Sequence, residues 1–298
     1  MLIVTRPDFD GIVCAALLYE VEKISRPTLW VQPGDMQKGQ VAVDPTDIIA
    51  NLLYHPNCGL WFDHHITNQP RQDIKGAFSI APSAARVIYE YYRGRFRHDY
   101  DLLVQQTDDI DSANLTNDQI LHPENYPHVL LSMTVTGHDE KDMPYWNHLV
   151  DMLRHHPVED IVTDPEVALR CGETVKRNAV FKNTLLKHTH LEQHVAVTDF
   201  RSIWPTPDGN RFLVYSLYPE SSVSVKIRCS DPEGSNITVS VGRSVLNDTC
   251  RINVGRMLAR FGGGGHSGAG ACTFPASRGK DYIPEIIETL LKNQETEN

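Results

Sequence analysis

Near its start the chain reads Val4-Thr5-Arg6-Pro7-Asp8-Phe9-Asp10-Gly11, which places two carboxylates one residue apart directly after an apolar run. Residues 1–4 predict a short buried strand, and residues 11–18 predict the helix that follows it. Asp8 and Asp10 would then lie on the turn at the carboxyl end of the first strand, where open α/β sheets bind their ligands. Two carboxylates at alternate positions suit divalent cations, although Asp8 could also be an ordinary helix cap.

Two further predicted strands end in acidic or histidine-bearing turns. Residues 41–43 are strand-like and are followed at once by Asp44, and residues 48–53 then predict a short helix. Residues 59–62 predict another buried strand, which delivers Asp63-His64-His65. Strands that alternate with helical segments indicate a parallel sheet. We therefore expect these turns to converge with the first acidic pair at one edge of the sheet, although each residue alone would fit a solvated turn.

A further acidic group follows a predicted helix over residues 101–106. Asp108, Asp109 and Asp111 are three acidic side chains in four positions, and they would repel one another unless a cation lay among them. A solvated acidic helix end is the alternative interpretation, and the spacing does not choose among the three residues. Upstream, Ser83 is the expected N-cap of a helix over residues 84–92.

The second part of the chain has a different composition. Alternating or continuous apolar runs separated by turn residues predict strands there. These strands cover residues 195–198, 212–215, 222–227 and 236–241. We therefore predict an α/β protein with a parallel-sheet domain over residues 1–187 and a smaller α/β domain over residues 195–298. A long helix over residues 166–187 would join them.

Residues 262–271 form a glycine-rich loop after a predicted helix over residues 254–261. Such a loop lets the backbone approach a ligand closely and point its N–H groups at an anion. A flexible hinge is the alternative, but a hinge does not need His266 in its middle. The sequence therefore predicts phosphate binding by this loop.

Bulk composition limits the classes of function. The chain has 298 residues, an apolar fraction of 41% and a formal net charge of −10, which does not support a grip on a long nucleic-acid backbone. A small phosphate-bearing ligand remains compatible with that charge. The six cysteines form no C-x-x-C pair, and neither a signal peptide nor a membrane-spanning run is evident. We expect a soluble, cytoplasmic protein with reduced thiols.

Five motifs occur in the order found in the DHH phosphoesterase family, DHHA1 subgroup, and the chain resembles that family over most of its length. They are Asp8-Phe9-Asp10, Asp44, Asp63-His64-His65, Asp108 and Gly264-Gly265-His266. The resemblance implies a Rossmann-like DHH domain followed by a DHHA1 domain. It also implies a two-metal hydrolase, usually dependent on Mn²⁺ with Mg²⁺ possible, in which two ions activate a shared water. The expected substrates are short nucleotides: nanoRNA, cyclic or linear dinucleotides, or adenosine bisphosphate. The chain looks similar to the small bacterial proteins called exopolyphosphatase-related.

The resemblance assigns a role to each motif residue. Asp8 would bind one metal ion and Asp10 the other, Asp44 would bridge the two, and His64 with Asp108 would complete the second site. His65 would face the phosphate and Asp63 would orient the histidines. The residues that would hold the substrate are Arg243, Gly264, Gly265 and His266.

One position departs from the family pattern. Many members have a metal-binding histidine four residues before the first aspartate, where this chain has Val4. Two alternative functions stay open: a phosphoanhydride hydrolase of the exopolyphosphatase or pyrophosphatase type, and a nucleotide-binding protein without turnover, which Val4 favours. The expected partner is a small phosphorylated nucleotide or a short single-stranded oligonucleotide, with no long duplex and no membrane. A homodimer is also possible.

Overall fold

The computed structural model describes residues 1–137 and 139–294, which divide into two compact units. Unit 1 comprises Met1–Leu115 and Pro123–Gly172, and unit 2 comprises Thr116–His122 and Glu173–Asn298. The division falls within the long helix Pro165–His188. It therefore lies upstream of the boundary at residues 187–195 that composition alone predicts.

Within the described part of unit 1, five strands form one parallel sheet in the order β2-β1-β3-β4-β5. They are β1 (Ile3–Thr5), β2 (Leu29–Trp30), β3 (Ile48–Ala50), β4 (Leu60–Asp63) and β5 (Gly76–Phe78). The central strands are buried on both faces, as the continuous apolar runs of a parallel sheet require. Because all neighbours run parallel, the carboxyl ends of the strands lie along one edge.

The first part of the chain also contains nine α-helices among its described residues. They are α1 (Phe9–Val21), α2 (Pro33–Gln37), α3 (Ala84–Tyr91), α4 (Asp101–Asp111), α5 (Asn117–Leu121), α6 (Pro127–Met133), α7 (Met143–His155), α8 (Val158–Ile161) and α9 (Pro165–His188). Helix α1 is buried from Phe9 to Leu18 and packs against α3, α4 and α7. Its start is tight against the end of β1, because a Cβ added to Gly11 would lie 2.0 Å from the backbone oxygen of Arg6. Glycine at this position lets the chain turn directly from strand to helix.

Two short apolar segments differ from the predicted elements. Residues 41–43 form no strand, whereas Ile48–Ala50, within the segment predicted to be a helix, is strand β3. Residues 212–215 lie largely in helix α10 (Leu213–Leu217) rather than in a strand. Short buried apolar runs have no periodicity that separates a strand from a helix, so their partners in the fold decide.

Unit 2 is built on a mixed sheet, with strand order β10-β11-β9-β8-β7-β6 among its described residues. The strands are β6 (Thr189–Glu192), β7 (Val195–Asp199), β8 (Val223–Cys229), β9 (Asn236–Arg243), β10 (Gly264–Gly265) and β11 (Ala269–Pro275). Of these strands, only β7 and β8 pair in parallel. Alternate apolar residues of β8 and β9 pack against α11 (Val254–Ala259) and α12 (Gly279–Lys292) to form the core of this unit.

The predicted fold class, a parallel-sheet α/β domain followed by a smaller α/β domain, is confirmed. All six cysteines are unpaired, as expected from their spacing. No helix in residues 1–137 or 139–294 combines the length and the apolar character needed to cross a membrane.

Candidate active site

The carboxyl ends of β1 and β4 bring together two of the motifs predicted to form the site. Asp8 caps α1 immediately after β1, and Asp10 lies in the first turn of that helix. The Asp63-His64-His65 turn begins at the last residue of β4. The convergence follows from the parallel sheet, since strand ends that point the same way deliver their turns to one edge.

Asp10 is fixed in place by the start of α3. The residue is 2% exposed, and its carboxylate accepts hydrogen bonds from the backbone N–H groups of Ala84 and Ala85, at 2.9 Å each. The thiol of Cys14, one turn along α1, lies 3.7 Å from Asp10 Oδ1. These hydrogen bonds hold the carboxylate in one orientation in its buried position.

The ring nitrogen Nε2 of His64 points towards two carboxylates. Its Nδ1 donates to the backbone oxygen of Ala81 at 3.0 Å, which leaves the lone pair of a neutral ring on Nε2. That Nε2 is buried without a hydrogen-bond partner among the described residues, and it lies 3.9 Å from Asp10 Oδ2 and 3.4 Å from Asp111 Oδ2. Three electron-rich atoms thus face one another within 4.8 Å. A metal ion is the usual partner of such a group, and histidine ligands commonly donate their other N–H to a backbone carbonyl.

The charges of these carboxylates point to the same conclusion. Burial, followed by the negative charge of Asp8, raises the pKa of Asp10. Burial, followed by the charges of Asp10 and Asp8, raises the pKa of Asp111. A divalent ion would remove this repulsion, and an oxygen-rich set with one imidazole suits Mn²⁺ or Mg²⁺. The residues present therefore fit a divalent metal ion.

Asp108, the acidic residue assigned to the metal by the family motif, is engaged elsewhere. It accepts a hydrogen bond from Ser83 Oγ at 2.6 Å and from Arg86 Nε at 2.8 Å, and it forms an ion pair with the same guanidinium. No cluster of three or more metal-binding side chains in residues 1–137 and 139–294 includes it, whereas Asp111 does lie in one. Of the alternatives left open by the sequence, Asp111 is the one that faces His64.

The position of Asp44 differs from the one predicted from the sequence. The sequence predicts that it follows a strand and joins the acidic edge, but it precedes β3 and has a side chain that is 66% exposed. It pairs with Arg26 at 3.1 Å, and the same guanidinium binds Asp47, whose Oδ1 accepts from the backbone N–H of Leu2 at the start of β1. Asp44 therefore lies at the amino-terminal edge of the sheet, opposite the site, and the prediction that it bridges two metals is wrong.

Asn51 lies at the carboxyl end of β3, the place that the sequence analysis assigned to Asp44. It follows the last residue of β3 in a left-handed conformation, with φ 56°, and is 2% exposed. Its Nδ2 donates to Asp8 Oδ1 at 3.0 Å, while its own Oδ1 is buried without a partner among the described residues. Assigning residues 48–50 to a strand would have identified this residue, because it is the first polar side chain beyond that strand.

Each oxygen of Asp8 has a partner. Its Oδ1 accepts from Gly11 N at 2.9 Å as well as from Asn51, and Arg6 Nε lies 2.9 Å from its Oδ2. Asp8 thus combines the two interpretations made from the sequence, since it caps α1 and also lies beside the acidic cluster. Burial raises its pKa, and the nearby Arg6 guanidinium opposes that shift.

Asp63 organises the turn that carries both histidines. It is completely buried, and its Oδ1 accepts from the backbone N–H of His64 at 2.8 Å and from His65 Nδ1 at 2.8 Å. Its Oδ2 accepts from Asn68 Nδ2 at 2.6 Å. The hydrogen bond to Asp63 raises the pKa of His65, which favours the imidazolium form. The ring of His65 remains 35% exposed and is held in one orientation.

In unit 2, the predicted phosphate-binding residues adjoin one another. Arg243 ends β9, its backbone N–H donates to the oxygen of Gly268 at 2.8 Å, and its guanidinium donates to the oxygen of Ile252. Gly264–Gly265 form β10 and pair with β11, and Gly265 has φ 147°. His266 donates its backbone N–H to Ala269 and accepts from Gly255 N at the start of α11. Backbone hydrogen bonds therefore shape the loop and keep it beside Arg243.

The chain is similar along nearly its whole length to a protein of known structure. No family model matches the chain, and no curated protein matches it. Among solved structures, the pGpG-specific phosphodiesterase PggH from Vibrio cholerae is similar at 30% identity and a TM-score of 0.87, over 98% of this chain and 99% of that one.

Two less similar structures share the fold. An exopolyphosphatase-related protein from Bacteroides fragilis matches at 14% identity and a TM-score of 0.51, over 98% of this chain and 90% of that one. RecJ from Thermus thermophilus, solved with Mn²⁺, matches at 11% identity and a TM-score of 0.54, over 99% of this chain and 52% of that one. With PggH similar along nearly the whole length of both chains, the protein belongs to the DHH phosphoesterase family, DHHA1 subgroup, and is a metal-dependent hydrolase of phosphoric esters.

Proposed function

We propose that this protein hydrolyses the phosphodiester bond of a short linear dinucleotide, with pGpG as the first substrate to test and Mn²⁺ as its metal. The observation that carries the proposal is the convergence of Asp10 and Asp111 on His64 Nε2, a buried nitrogen without a hydrogen-bond partner among the described residues. The similarity to PggH supports the dinucleotide, since that relative is a pGpG-specific phosphodiesterase.

The metal would be held by the side chains of Asp10, His64 and Asp111. A divalent ion bound there supplies Lewis acidity, which makes water more acidic and offsets the charge of the phosphate. The protein contributes the orientation of the ligands: the α3 backbone holds Asp10, and the Ala81 carbonyl fixes the tautomer of His64.

His65 would bind the non-bridging oxygens of the scissile phosphate. Asp63 holds its Nδ1, so the other ring nitrogen is presented with a fixed direction. The raised pKa favours a charged ring, which donates a stronger hydrogen bond to a phosphate than a neutral ring does. Charge that develops on those oxygens during hydrolysis would be stabilised by this donor.

Unit 2 would contribute phosphate-binding groups of its own. Gly264, Gly265 and His266 supply an imidazole and a glycine-rich backbone in the β10–β11 hairpin, and Arg243 at the end of the adjoining β9 supplies a guanidinium. Phosphate groups are bound by such combinations. Loss of these contacts should raise KM while the metal site of unit 1 keeps its affinity.

A direct assay tests the proposal. Purified protein is incubated with Mn²⁺ and, separately, with pGpG, pApA, 3′,5′-adenosine bisphosphate and polyphosphate, and released products are separated by ion-exchange chromatography. We expect mononucleotide release from pGpG, its loss in His64→Ala, and its retention in Asp44→Asn, because Asp44 is exposed at the opposite edge of the sheet. Faster phosphate release from polyphosphate, or equal turnover in His64→Ala and the wild type, would contradict the proposal.

A further inference from the structure

The acidic edge of unit 1 has one set of side chains that is free to bind a metal ion. It also has one carboxylate, Asp8, that already pairs with a guanidinium. The free set is Asp10, His64 and Asp111. Asp63, His64 and His65 also lie close together, but this second group shares His64 with the first. Both oxygens of Asp63 already accept hydrogen bonds from its own turn. Within residues 1–137 and 139–294, the clusters therefore provide for one independent ion.

Asp8 differs from Asp10 in what contacts its oxygens. One oxygen receives hydrogen bonds from Gly11 N and from the Asn51 amide, and the other lies 2.9 Å from the Arg6 guanidinium. A carboxylate has about four lone-pair positions, and two hydrogen-bond donors and one ion pair already engage this one. A second dication at Asp8 would have to displace a guanidinium and an amide N–H₂, both of which present positive hydrogen atoms.

Asn51 strengthens this distinction. A carboxylate at the end of β3 could offer negative charge to two ions at once, whereas an amide is neutral and gives its N–H₂ to Asp8. Its carbonyl oxygen has no partner among the described residues and can still accept a hydrogen bond from a bound water or nucleotide. Val4, four residues before Asp8, is completely buried in the apolar core of unit 1 and provides no ligand.

From these contacts we infer that Arg6 supplies the second positive charge of the site, so that each chain binds one divalent ion and not two. The inference rests on the proposed metal-dependent function and concerns only how the positive charge is provided. Arg6 and one divalent ion together balance the three carboxylates Asp8, Asp10 and Asp111. Arg6 is 42% exposed as a side chain, so it can reach a phosphate while it remains paired with Asp8.

Counting bound metal tests the inference. The full chain, freed of metal with EDTA, is titrated with Mn²⁺ by calorimetry, and the saturated sample is examined by electron paramagnetic resonance. We expect one Mn²⁺ per chain and a spectrum without exchange coupling between two ions. Two Mn²⁺ per chain, or an exchange-coupled spectrum, would overturn the inference.

A variant pair tests the two residues by name. The double variant Arg6→Gln/Asn51→Asp removes the guanidinium and provides a carboxylate at the end of β3, where aspartate tolerates the left-handed backbone. We expect it to bind two Mn²⁺ per chain, while the control Arg26→Gln, which removes an arginine from the opposite edge, binds one. A folded double variant that still binds one ion would refute the roles of Arg6 and Asn51.

If the double variant fails to fold, as judged by circular dichroism, Arg6→Gln alone is titrated, and we expect it to bind a second Mn²⁺ more weakly than the first, because the guanidinium no longer pairs with Asp8. A second ion that is absent there would also refute the inference. Hydrolysis is not measured in these titrations. A wild-type chain that binds one ion but cleaves no dinucleotide would therefore contradict the proposed substrate and leave the ion count standing.

Discussion

Replacement of Asp111 by asparagine should have opposite effects on the metal-free and the metal-bound protein. Burial, then the charges of Asp10 and Asp8, raises the pKa of Asp111 from 3.8 to about 7. Asp111 is itself partly exposed, with 29% of its side chain accessible, so solvent screens much of this repulsion. Asp10 and Asp111 also share the repulsion, and we therefore expect asparagine to increase the free energy of unfolding by about 1 kcal/mol in EDTA near neutral pH.

The pH dependence has a definite sign. An acid whose pKa is raised by folding destabilises the folded state above that pKa, and it has no such effect below the pKa of the unfolded chain. The advantage of Asp111→Asn in EDTA should therefore be fully present above about pH 7 and vanish below about pH 4. In Mn²⁺ the wild type should be more stable than the variant, because it gains binding free energy that the variant loses.

Thermal unfolding by circular dichroism, in EDTA and in Mn²⁺ over this pH range, measures both effects. Asp108→Asn is the matched control, because it loses the contacts with Arg86 and Ser83 and should lower stability by about 1–3 kcal/mol whether or not Mn²⁺ is present. If Asp111→Asn is no more stable than the wild type in EDTA, or gains as much stability from Mn²⁺, then these carboxylates do not form a cation site.

Four further outcomes are expected. Gly11→Ala should lower the free energy of unfolding in urea by more than about 2 kcal/mol, since its Cβ would lie 2.0 Å from the Arg6 oxygen. Gly172→Ala, in open space on α9, should raise it by about 0.5–1 kcal/mol. Burial lowers the pKa of His128, so stability should fall as the pH drops below 6.5, and urea unfolding of His128→Asn should have a flatter pH profile. His266→Ala should raise KM for the dinucleotide severalfold with unchanged Mn²⁺ per chain, and equal kinetics in the variant would contradict a role in substrate binding.

Local sequence patterns are sufficient to predict several parts of the site. The apolar run before Asp8 and the run before Asp63 each predict a strand that ends in a polar turn, and both turns lie where expected. Ser83 is identifiable as a helix cap from its position alone, and its hydroxyl does accept from Arg86 N. Such features depend on neighbouring residues only, since a strand end or a cap is formed within one turn of the chain.

The choice between chemically similar residues needed the tertiary structure. Asp44 and Asn51 flank the same short strand, and only the direction of β3 in the sheet places Asn51, and not Asp44, at the edge that carries Asp8 and Asp10. Asp108 and Asp111 lie one turn apart on α4, and packing turns the first towards Arg86 and the second towards His64. Residue type and spacing do not separate such alternatives, so the decision depends on which partner each side chain meets across the fold.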